Sequence, residues 1–185
     1  MIMAPGVRKA ALAAHVGCSV GWLGAVVTSL VLALAGLAAR DGEVARAVYP
    51  ALEMIGWYGL VPFSLASLLT GLIQSLGTNW GLLRHYWVLV KLLMNLFATG
   101  VLLLYMQTLT YLAATARAAG TATDLDRLRD PSPVAHAGAA VVLLLVALVL
   151  SIYKPRGLTS YGQRTQHRQR TTAARTRPEQ AVSRP

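Results

Sequence analysis

Acidic side chains are scarce in this sequence: seven in 185 residues, against 17 lysines and arginines. All but Glu53 fall in apparent loops or in the C-terminal tail, so a carboxylate proton relay across a membrane has no parts. A single cysteine, Cys18, excludes an intramolecular disulfide and any Cys-x-x-Cys metal or redox pair. No Walker loop, HExxH, GxSxG or Rossmann glycine fingerprint occurs, which argues against nucleotide-driven and hydrolytic enzymes. Charged residues make up only 13% of the chain, about half the share in a soluble domain.

What the chain has instead is apolar length. Hydrophobic residues reach 55%, with a mean hydropathy of +0.52. Four runs, 10–39, 49–76, 86–114 and 134–153, each supply the ~20 helical residues that cross a hydrocarbon core of about 30 Å. They predict an all-α, antiparallel up-down bundle of four transmembrane helices over 1–155, followed by a basic tail over 156–185. The Ala33-Leu34-Ala35 triplet resembles a signal-peptidase site, but the surrounding run is far longer than the ~7–15 apolar residues of a signal peptide. The first run therefore reads as a retained span.

The net charge of +10 is mostly tail: eight basic residues from Lys154 onward face one acid, Glu179. No nucleic-acid recognition fold or interleaved aromatics accompany them, so the expected partner is anionic lipid headgroups, with disorder past about Gln163. Arg8 and Lys9 precede the first run and Arg84 lies in the turn between the second and third, whereas the two other loops balance their charges. The positive-inside rule then places both termini in the cytoplasm of a bacterial inner membrane. Fourteen arginines against three lysines point to a GC-rich genome.

The candidate site residues are the polar groups within the runs. In the third, Trp87, Lys91, Asn95 and Thr99 recur every four residues and must face protein or water, since lipid cannot satisfy them. In the first, His15, Ser19 and Trp22 share one face. Ser64, Ser67, Gly71 and Gln74 form a small-polar seam on the second, and Pro62 is a candidate kink. Depth puts His15 and Lys91 near one membrane surface, His85 at its boundary and His136 toward the other. A buried lysine can shed its proton and imidazole is a common iron and metal ligand, so His15 and Lys91 are the candidate cofactor pair. Trp22 and Asn95 flank it, and His15 with Cys18 is a candidate metal pair. Opposing this are snorkelling of Lys91 to the headgroups and an inert, small-hydrophobe role for Cys18.

HVGCSVGWLGAV, SLLTGLIQSLGTNWGLLRHYWVLVKLLMN and SIYKPRGLTSYGQR resemble a family of small four-helix actinobacterial membrane proteins of unknown function. More distantly, the order His15, Trp22 with Gly24, Thr70-Gly71 and Lys91 is similar to the copper-resistance D (CopD) domain. A first-helix histidine and third-helix lysine are also similar to HemJ-type protoporphyrinogen oxidases. The resemblance implies haem b, or copper, at His15 and Lys91. The sequence departs from CopD in its few methionines and histidines and in Arg84-His85-Tyr86 at the turn. Two functions are therefore expected: a cofactor-binding membrane protein, or a non-enzymatic accessory protein packing on a partner, or on its own copy, through small-residue faces. Solute transport has less support, since no repeat or broken-helix pair is visible.

Overall fold

The computed structural model describes residues 3–39, 42–77, 85–118 and 129–153, and scattered positions between 157 and 171. The chain folds as an all-α bundle with four helices long and apolar enough to cross a membrane, as expected of a multi-pass membrane protein. The first is α1, Pro5–Ala38, which opens on a proline at its first turn, where the missing N–H costs nothing. The second crossing is built in three pieces: α2, Gly42–Ile55; a π-helical turn, Gly56–Leu60; and α3, Val61–Gly77. The third and fourth are α4, Tyr86–Ala118, and α5, Ser132–Tyr153. The N-terminus of α5 is capped by Asp130, whose Oδ1 accepts the Ser132 N–H at 2.8 Å. The basic tail lies, apart from those scattered positions, outside the described residues.

Two expectations need correction. The second crossing starts at Gly42 instead of residue 49, because the stretch read as a loop before Tyr49 belongs to an amphipathic helix, Gly42–Ile55. Its Ala45, Val48, Tyr49 and Leu52 are all buried at helical spacing. The distortion sits before Pro62, not at it: the Val61 N–H bonds to the Gly56 carbonyl, an i→i+5 bond. A π turn widens the helix where the proline ring would crowd the carbonyl four residues back.

The helices pack as antiparallel neighbours. Against α3, α1 lies so close that a Cβ on Gly21 would stand 2.8 Å from the Phe63 ring. The seam expected on the second span thus packs against α1, with Ser64 and Ser67 fully buried. Many large apolar side chains remain exposed, among them Val20, Leu69, Leu104 and Ile152, and in a lipid-immersed bundle these form the outer face. We call the end where α1 and α4 begin proximal and the opposite end distal. At the distal end Ala33, Tyr49, Leu52, Met106, Leu109 and Leu112 make the larger of two buried cores among the described residues. With 34 and 33 residues, α1 and α4 are each about 50 Å long, so roughly 20 Å exceeds the hydrocarbon thickness.

Candidate functional site

Near the proximal end each of the four crossings contributes one polar side chain to a single layer. From α1, His15 Nδ1 lies 3.2 Å from Thr70 Oγ1 of α3. The next turn repeats the link, with Ser19 Oγ 2.9 Å from Ser67 Oγ. From α4, Lys91 Nζ donates to Ser151 Oγ of α5 at 2.5 Å, and its charge also lies 5.6 Å from the centroid of Trp87. The two halves share a level because Trp22 and Leu144 pack in one cluster, seven residues from His15 and from Ser151 respectively.

The hydroxyls fix where the protons sit. Thr70 sends its own hydrogen to the Ala66 carbonyl at 2.6 Å, so toward His15 it can only accept. Nδ1 therefore carries the imidazole proton, and Nε2 of the neutral ring keeps its lone pair. Likewise Ser151 donates to the Ala147 carbonyl at 2.9 Å and accepts from Lys91. Gly71 leaves room for the ring: a Cβ there would approach His15 Cε1 to 2.9 Å. One turn from Thr70 on the same face, Gln74 Oε1 is buried without a hydrogen-bond partner.

The expected site residues do not all converge. Asn95 is half-buried one turn above Lys91, on the same stripe. Thr99, at the top of that stripe, is buried and its hydroxyl lacks a partner. Trp22 is buried two turns beyond His15 in an apolar cluster, and so stands away from the polar layer. Cys18 is a half-buried free thiol, and among the described residues no three His, Cys, Asp or Glu side chains gather as metal ligands. His136 joins a separate distal cluster, stacked on Tyr105 at 3.8 Å. His85 stays at the proximal boundary, its ring tilted 54° to Trp87.

Thr70 and Ser151 are the hydrogen-bond partners in the candidate site that span-by-span reading passed over. Ser151 had a signal: it is the first polar side chain of its span after His136, at the depth of Lys91. No family model, no curated protein and no solved structure matches this chain.

Proposed function

We propose that this protein binds haem b in the proximal polar layer, where His15 would hold it, with both termini in the cytoplasm of a bacterial inner membrane. The observation that carries the reading is the proton placement at His15. An Nδ1–H held by a hydroxyl, with Nε2 left as a lone pair, is how proteins orient a ligating imidazole. Haem fits better than copper or another bare ion because the porphyrin brings four nitrogens of its own. The described side chains offer no third ligand beside His15 and Cys18.

Lys91 supplies a cation to the same layer, suited to a carboxylate at the edge of the group, and Ser151 and Trp87 hold that amine in place. Gln74 adds an unused buried acceptor and Asn95 a second amide. When bound, the haem would supply one-electron redox chemistry; the chain's residues would bind and orient it. The motif order similar to CopD and HemJ-type proteins supports the assignment, and the charge asymmetry across the spans supports the orientation.

The test is an absorbance spectrum of protein purified from haem-replete cells. A Soret band is expected for wild type, shifted in Lys91→Leu and lost in His15→Leu. Wild-type protein without a Soret band would overturn the reading. A second reading, a non-enzymatic accessory protein that packs on a partner, has one observation in its favour. A Cβ on Gly17, Gly24, Gly100 or Gly138 would meet nothing within 4 Å, so these small positions open outward where another helix could approach.

A further inference from the structure

Distal to Trp22, a cavity of about 140 Å³ opens between α1, the π turn, α4 and α5. It is close in size to the ~150 Å³ apolar cavity that admits one benzene ring. Its walls are almost wholly apolar, from Trp22, Leu60, Ala98 and Ala140. Phe97, Ala139 and His136 line it and are exposed, so its mouth faces lipid between α4 and α5. A ligand would therefore enter sideways from the bilayer and could leave a hydrocarbon tail outside.

Ser29, Tyr105 and His136 bring polar groups to this space, besides the indole N–H of Trp22. Ser29 has committed its hydrogen to the Ala25 carbonyl at 2.9 Å, so toward the cavity it only accepts. His136 Nδ1 lies 2.9 Å from the Ser132 carbonyl, which cannot donate. With Nδ1 donating to that carbonyl, the acceptor of the imidazole tautomer that carries a single N–H is Nε2. The Tyr105 hydroxyl is tied to Ser132 Oγ at 2.9 Å, and its ring stacks on His136 at an interplanar angle of 14°. The pair makes a flat, firmly held wall.

From ring-sized volume, lateral mouth and acceptor-biased lining, we propose that this cavity binds the ring of a lipid-soluble hydroquinone, with a ligand hydroxyl donating to His136 Nε2. A quinol carries O–H donors for His136 Nε2 and Ser29 Oγ, whereas the quinone offers only acceptors, to which neither of these two groups can donate. The site discriminates in favour of the reduced form. The inference does not rest on haem at His15, which lies two turns away toward the proximal end.

The test is calorimetric titration of the full chain in nanodiscs with decylubiquinol and with its oxidised form, empty nanodiscs subtracted. The quinol should bind at least tenfold more tightly, about the worth of one hydrogen bond. His136→Phe, at an exposed position that tolerates exchange, should bring the ratio to about one. Ala139→Phe, at the exposed mouth, should weaken both ligands at least tenfold. Equal or reversed affinities in the wild type would overturn the proposal, the slot then taking only an acyl chain. So would a preference that survives His136→Phe, or binding indifferent to Ala139→Phe.

Discussion

Replacing Gly71 with alanine tests the contact that sets His15 in place. The new Cβ would sit 2.9 Å from Cε1 of the ring and 3.4 Å from Nδ1. Restoring an ordinary carbon–carbon contact of about 3.5 Å moves the ring by roughly 0.6 Å. The bond to Thr70 is already 3.2 Å long, so a shift of that size breaks it. Losing that bond costs about 1 kcal/mol, and residual overpacking a further 1–3. Alanine returns up to about 1 kcal/mol by its better helix propensity. The net is a destabilisation of roughly 1–3 kcal/mol. Gly24→Ala, whose Cβ meets nothing, should be neutral or stabilising by up to about 1 kcal/mol. Reversible unfolding in mixed micelles, titrated with SDS, measures both. Adding His15→Ala to Gly71→Ala should remove the penalty, a coupling of about 2 kcal/mol in a double-mutant cycle. Equal effects of Gly71→Ala and Gly24→Ala, or no coupling to His15, would refute the reasoning.

The same unfolding assay checks three more expectations. Ser151→Ala, which takes away an acceptor of Lys91, should destabilise by about 1–3 kcal/mol, and Lys91→Met in that background should recover part of it. Leu52→Ala, in the distal core at 2% exposure, should cost about 2–5 kcal/mol, whereas Leu104→Ala, 71% exposed, should cost under about 1. Arg117 reaches Glu53 at 2.6 Å but is more than half exposed, so Arg117→Ala should cost less than about 1 kcal/mol, and less still in high salt.

The crossings were legible because ~20-residue apolar runs have few meanings in a sequence. Burial of the Ser64–Ser67 seam was legible too, as was the partial burial of the Lys91 stripe, since polar groups in a span must turn toward protein. The loop reading of the residues before Tyr49 failed although Ala45 and Val48 continue the helical period of Tyr49 and Leu52. Hydropathy alone outweighed it at Arg46 and Glu43. Partner choice was not legible. Depth places Lys91 among several spans, but the rotation of each helix decides that Ser151 takes its amine and Thr70 the imidazole. Trp22 illustrates the same limit: it shares the face of His15, yet two turns of rise carry it into an apolar cluster. The cavity beside it arises from how side chains on all four crossings meet, which no single run encodes.

The two ends of the bundle are held by different forces, and this bears on how the molecule comes apart. Distally, interlocked side chains form a compact knot that water or lipid must prise open all at once. Proximally, a handful of cross-helix hydrogen bonds does the fastening. Amide deuteration should accordingly advance as a front, starting beside Met3 and Gly77 and slowing toward Leu112. Pulled from its basic tail, the chain would yield first where the polar ring sits.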